Sequence, residues 1–315
     1  MVQVKKEKKA MSELVREIIA EDLPIVKELL AKTGRCKEYT CIERLGGMTN
    51  HSYKVTLEDG EELLVRIPGE GTEEMINRED ERKSTELAVS LGIDSELLYF
   101  GREGTKVMKF IHDPQKMDEE VMRRPEVLRQ AAAIFHKLHY SGVDTGVRFE
   151  VFEMADLYEK IIREGGVAMY PDYEEVKNTV MSIKAAVDAG HDPVKVPCHN
   201  DSLVGNWVLN GDGKLFLIDW EYSGMNESMW DLSCLSIEAD YSAKEDGMLL
   251  SAYYGREPSY LEKKRFLAAK TYVDFLWTLW GLTRVPYDGD FMQDYADGRY
   301  ARLKDNIKKY TEVEE

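Results

Sequence analysis

The residues with chemistry to offer are concentrated between His199 and Tyr222, in HNDSLVGNWVLNGDGKLFLIDWEY. Asp201 stands five residues before Asn206, and Asp219 and Glu221 follow the apolar stretch after it. A carboxylate can hold and deprotonate an alcohol, while an amide oxygen and a second carboxylate are hard ligands for a divalent cation. Such a set suits phosphoryl transfer, in which the protein supplies a base, metal ligands and little covalent chemistry. We therefore assign Asp201 as the base and Asn206 and Asp219 as magnesium ligands. VLNGDGKLFLID reads as a hairpin turning at its GDG. Its two strands would carry Asn206 at one end and Asp219 at the other, which explains why acids flank a segment that otherwise reads as core.

His199, Asp201 and Asn206 fit the H-x-D-x-x-x-x-N spacing of a kinase catalytic loop. By itself that spacing also fits a polar turn with Asp201 as its cap. The elements upstream favour the kinase reading. TCIERL reads as a strand, Gly46-Gly47-Met48-Thr49-Asn50 follows, and SYKVTLEDGEELLVRI forms a hairpin turning at Asp59-Gly60. Arg66 falls on the third strand, and a helix expected from Glu73 to Leu91 offers Glu79 and Glu81. A loop over phosphates, a cation on the third strand and a helix glutamate to hold it appear in the required order.

The rest of the chain completes two parts. Ser12 to Lys32 has helical spacing, with Pro24 starting a second helix behind Asp22 and Gly34 stopping it. ELLYFG and KVMKFI read as strands, and HDPQKM interrupts both periodicities. The expected boundary divides residues 1–112, a nucleotide-binding lobe, from 113–315. The second part is mainly helical, with helices over Pro125–Tyr140, Val151–Arg163, Tyr173–Ala189 and beyond Trp230. The expected class is α+β: a small sheet lobe with one helix, then a larger helical lobe.

Bulk properties narrow the partners. A net charge of −17 over 315 residues opposes electrostatic binding to nucleic acid or an anionic membrane. No apolar run reaches the roughly 18 residues of a membrane span, and MVQVKKEKKAMSEL lacks the apolar core of a secretory signal. Cys36, Cys41, Cys198 and Cys234 form no CxxC pair, as expected of a cytoplasmic protein without a zinc site. His136 and His139 have no carboxylate or cysteine at ligand spacing and read as packing or hydrogen-bonding residues; His199 reads as a hydrogen-bonded loop brace.

LGGMTNHSYKV, LLVRIPG, INREDE, CHNDSLVGNW, LIDWEYSGMNESMWDLS and DFLWTLWGL resemble the choline/ethanolamine kinase family. The likeness runs from about Leu45 to Tyr300 and implies a bilobal protein-kinase-like fold, shared with aminoglycoside phosphotransferases. It implies ATP and Mg2+ as cofactors and choline as acceptor. Gly47, Met48, Thr49 and Asn50 would cover the phosphates, and Arg66 would contact them while paired with Glu81, with Glu79 as competitor. The backbone from Lys109 to Ile111 would meet adenine. Trp277, Trp280 and Tyr295 would box the quaternary ammonium by cation–π contact, with Glu238 and Tyr241 nearby, while Glu221 and Asp231 would be supporting residues. The sequence departs from protein kinases at GGMTN, at Trp220 after the metal aspartate and at Asn200 in the catalytic loop. An ethanolamine kinase, an aminoglycoside kinase and an inactive kinase-fold binding module are the alternatives. The tryptophan pair argues against the first two, and the full set Asp201, Asn206 and Asp219 against the third.

Overall fold

A computed structural model describes residues 20–34, 38–45, 50–69, 76–190 and 194–313. The chain divides into two compact units: Met1–Gln115 with Val208–Glu221, and Lys116–Trp207 with Tyr222–Glu315.

In the first unit the alternating segments become a five-stranded antiparallel sheet, ordered β1-β2-β3-β5-β4. Its strands are β1 (Tyr39–Arg44), β2 (His51–Leu57), β3 (Glu62–Ile67), β4 (Leu97–Phe100) and β5 (Lys106–Lys109). The turn at Asp59-Gly60 closes β2 on β3, with Gly60 at φ +85°, a left-handed conformation that glycine adopts without strain. One face buries Tyr53, Val55, Leu57, Leu63, Val65 and Val107 in a core shared with Val26, Leu29 and Leu30. Those last three lie on α1, helical over 20–32. The helix runs through Pro24 without the expected break. Asp22 is instead tied to the sheet, accepting from the Tyr53 hydroxyl at 2.5 Å. Residues 12–19 lie outside the described part.

Helix α2 spans Arg78–Ser90, later than its expected start at Glu73. Asn77 fixes the start, its side chain accepting from the Glu79 and Asp80 N–H groups. The late segment 208–221 joins this unit through a two-stranded ribbon, β7 (Trp207–Leu209) with β8 (Leu215–Leu217). Gln115 N–H donates to Leu209 C=O at 2.8 Å, and Leu217 N–H to Ile93 C=O at 3.2 Å.

The second unit is helical: α3 (Glu119–Met122), α4 (Pro125–His139), α5 (Val151–Glu164), α6 (Tyr173–Ala189), α7 (Ser228–Glu238), α8 (Ala243–Tyr254), α9 (Tyr260–Asp288) and α10 (Asp290–Glu312). A short pair not anticipated from sequence, β6 (Lys195–Cys198) with β9 (Gly224–Glu227), brackets residues 199–223. The core gathers residues of α5, α6, α7, α9 and α10, among them Trp230, Val273, Phe275, Trp277, Leu279 and Tyr300. Helices α9 and α10 pack closely at Gly281, where a Cβ would lie 2.9 Å from the Tyr295 ring. Glycine is what lets that ring approach α9.

Candidate active site

In the second unit one buried carboxylate organises the loop after β6. Asp231, on α7 and fully buried, accepts the N–H of His199 at 2.8 Å and of Asn200 at 2.7 Å. Asn200 sits at φ +68°, a conformation that asparagine tolerates better than most residues. Its amide nitrogen donates to the carbonyls of Tyr222 and Gly224, its amide oxygen accepts from Asn226, and its backbone carbonyl accepts from the Trp230 indole. An arginine here could not make both sets of amide contacts, so this departure from protein kinases is structural in effect. The loop thus enters Asp201 with its backbone held on both sides. The Asp201 N–H donates to His199 Nδ1 at 3.3 Å, and Asn206 Nδ2 donates to the Asp201 carbonyl at 2.8 Å and its carboxylate at 3.4 Å. Asp201 and Asn206, read from sequence as partners, are brought together.

His139 is buried and hydrogen-bonded through both ring nitrogens. It does have a carboxylate and a cysteine beside it: Nε2 lies 3.0 Å from Asp231, and Cys198 completes a buried trio. These partners come from about 60 and 90 residues along the chain, beyond the reach of any local spacing. Its other ring nitrogen lies 2.9 Å from the Tyr253 hydroxyl. Burial, then Asp231, pushes the Cys198 thiol well above its usual range. Through the Asp231 contacts to His139 and to the His199 and Asn200 N–H groups, the trio braces the loop.

The predicted aromatic residues also meet. Trp277 and Trp280 pack edge to face at 5.8 Å between centroids, and Trp280 and Tyr295 at 5.9 Å. Tyr222, not identified from sequence, adds a ring 5.7 Å from Trp277. Only its place directly after Glu221 could have hinted at it. Tyr295 is half-buried, and desolvation, with Glu238 and Asp201, pushes its hydroxyl up to about 12 against the opposing pull of Arg299. Glu238 is ion-paired with Arg299, whose guanidinium lies 5.0 Å from the Tyr295 centroid. The Tyr241 hydroxyl donates to the Met122 carbonyl at 2.7 Å.

The first unit gathers a second set. Arg66, on β3 and 5% exposed, meets three acids: Glu81 at 3.3 Å, Asp219 at 2.7 Å and Glu221 at 2.6 Å. Glu79 instead pairs with Arg82 on the exposed side of α2. Glu81 also receives Arg78 at 2.7 Å and Lys106 at 3.1 Å. Burial alone would raise the Glu81 pKa, but Lys106 and Arg66 hold it below its usual range. Burial and Asp219 raise Glu221 despite Arg66. Oriented with its oxygen toward the guanidinium, the Asn50 amide accepts from Arg66 Nε at 3.1 Å. Gly47, Met48 and Thr49 lie outside the described residues. Lys109 and Phe110 commit their N–H groups to Glu96 and Glu62 carbonyls, and Ile111 follows directly. Lys106 and Arg78 were missed because a buried cation in a strand or at a helix start carries no periodic signature.

Asp219 stands at φ +69°, and the residue after it is anchored. The Trp220 indole, fully buried, donates to Asp94 at 3.1 Å and to the Leu217 carbonyl at 3.2 Å. Burial pushes Asp94 up to about 6, with Lys106 pulling the other way. A raised folded-state pKa gives stability that is fully present below pH 4 and lost as pH rises through 6. Asp94→Asn removes that component. Its stability relative to the parent is expected to rise by up to about 3 kcal/mol between pH 4 and 7, read from urea melts across that range. A difference that stays flat would place Asp94 outside this linkage.

Comparison with known proteins places this geometry. The model for choline/ethanolamine kinase matches residues 42–278. The chain belongs to that family. It is 26% identical over 259 residues to protein LicA of Haemophilus influenzae, covering 80% of this chain and 75% of that one. Among solved structures it resembles a choline/ethanolamine kinase family protein from Mesorhizobium loti, with TM-score 0.78, 35% identity, and 89% and 92% of the two chains covered. It likewise resembles choline kinase LicA from Streptococcus pneumoniae, with TM-score 0.77, 30% identity, and 92% and 100% covered. The fold is the protein-kinase-like one shared with aminoglycoside phosphotransferases. The protein is accordingly a kinase, nucleotide-binding, with a small-molecule acceptor. Among the described residues no helix is long and apolar enough to cross a membrane.

Proposed function

We propose that the protein is an ATP-dependent choline kinase, transferring a phosphoryl group to the choline hydroxyl to give phosphocholine and ADP. The observation that carries this reading is the ring cluster Tyr222, Trp277, Trp280 and Tyr295. A quaternary ammonium has no N–H to donate, so aromatic faces are its natural binding surface, each worth roughly 0.5–2 kcal/mol.

The residue roles follow from their chemistry. Asp201 would accept the proton of the attacking hydroxyl, with Asn206 steadying its carboxylate. Asn206 donates through its nitrogen, leaving the amide oxygen as the metal-binding atom, and Asp219 is a carboxylate; both suit magnesium. Bound there, the cation would neutralise charge on the phosphates. Arg66 has a planar fork that can serve a carboxylate and a phosphate together, with Asn50, Gly47, Met48 and Thr49 assigned to the phosphate loop. Glu81 holds Arg66, and the backbone of Lys109 to Ile111 would take adenine, Ile111 supplying the donor. Direct transfer requires no phosphoenzyme. With ATP as donor, we place the protein in the cytoplasm.

An ATP-consumption assay across choline, ethanolamine, the methylated ethanolamines and kanamycin tests the reading. Choline is expected to give the highest kcat/KM, and an inert result with every amino-alcohol would overturn it. Trp277→Ala is expected to raise KM for choline by about 10-fold, the loss of one ring face, with KM for ATP little changed. Equal effects on both substrates would make Trp277 a packing residue only.

A further inference from the structure

Resting on the reading above, we propose that Arg299 is a positioning residue that sets amine specificity. It neutralises Glu238 and so leaves the ring cluster suited to a quaternary ammonium rather than a primary one.

The network behind the rings is closed. Asp274, on α9 and fully buried, accepts Arg299 Nη1 at 3.2 Å, Arg302 Nη2 at 2.7 Å, Arg302 Nε at 2.9 Å and Asn306 Nδ2 at 2.9 Å. Arg302 alone balances the charge of Asp274. The charge of Arg299 is then balanced by Glu238, with which its other nitrogen is paired. Two arginines and two acids leave no net charge, and Arg299 is only 4% exposed. Burial alone would lower the Arg299 pKa, but Glu238, Tyr295 and Asp274 raise it, so the cation is permanent. The same guanidinium lies against the Tyr295 ring, so one side chain both seats a wall of the cluster and occupies Glu238.

The consequence differs between amines. A primary ammonium carries three N–H donors and loses water's acceptors on binding, so it requires acceptors from the protein. Glu238 would be the natural one, but its charge is already matched. A trimethylammonium asks only for ring faces. Releasing Glu238 from Arg299 should therefore favour the primary amine.

The test measures kcat/KM for choline and for ethanolamine in the parent, Arg299→Met, Arg299→Lys and Glu238→Gln, with melting temperature and KM for ATP as controls. The choline-to-ethanolamine ratio is expected to fall at least 10-fold in Arg299→Met and to stay near the parent value in Arg299→Lys. Glu238→Gln leaves Arg299 uncompensated and is expected to weaken both amines by a similar factor. A folded Arg299→Met variant with an unchanged ratio overturns the proposal. Should Arg299→Met not fold, Glu238→Gln decides: a selective loss of ethanolamine would show Glu238 already serving the primary amine, and sink it. A parent inert toward both amines would instead sink the choline-kinase reading.

Discussion

Asp201→Ala is expected to lower kcat by about 10³-fold while leaving nucleotide affinity within a few-fold of the parent. A positioned general base contributes roughly 10²–10⁴-fold, and Asp201 is the carboxylate delivered by the braced loop. The fold should survive, because Asp231 holds the loop through the N–H groups of His199 and Asn200. Single-turnover phosphocholine formation, with nucleotide binding measured separately, checks both halves. Turnover within 10-fold of the parent would remove Asp201 from the base role. Asp231→Ala makes a different pattern: it releases three hydrogen bonds at once, so stability and activity should fall together.

Arg66→Met is expected to destabilise the protein by about 3 kcal/mol near pH 8, since removing one partner of a buried ion pair leaves uncompensated charge. Glu81 keeps Arg78 and Lys106, but Asp219 and Glu221 lose the partner at 2.7 and 2.6 Å. The loss should shrink toward pH 5. Glu221 already has a raised pKa from burial and Asp219; without Arg66 it rises further, and protonation then relieves the unpaired charge. Arg66→Lys should recover less than half of the stability. One ammonium cannot reach three acids that a guanidinium meets through two nitrogens. Urea denaturation at pH 5 and pH 8 reads the effect, and equal destabilisation at both would exclude the carboxylates as its source. Nucleotide KM should rise in both variants.

Much of this was written in local spacing. Asp201 and Asn206 lie five residues apart on one loop, so their contact follows from short-range geometry. Trp277 and Trp280 stand three apart on one helix and share a face for the same reason. The antiparallel order of β2 and β3 follows from the Asp59-Gly60 turn. The contest between Glu79 and Glu81 could not be decided that way. Two residues apart on a helix they point to nearly opposite sides, and which side meets the sheet depends on how α2 is seated. Asn77 starts the helix and the sheet packs against the Glu81 face, which leaves Glu79 to Arg82.

The amino-acid order by itself determined which groups could do chemistry, and the strand and helix periods that carry them. It named the loop, the ribbon and the tryptophan pair, because hydrogen-bonded turns and helical phase act over a few residues. Tertiary structure decided which charges meet. Arg66 finds Asp219 and Glu221 more than 150 positions away, Arg299 finds Glu238 across 61, and Asp231 reaches back to His199 across 32. Such pairings have no period; they exist only where packing excludes water and forces each buried charge to find its opposite.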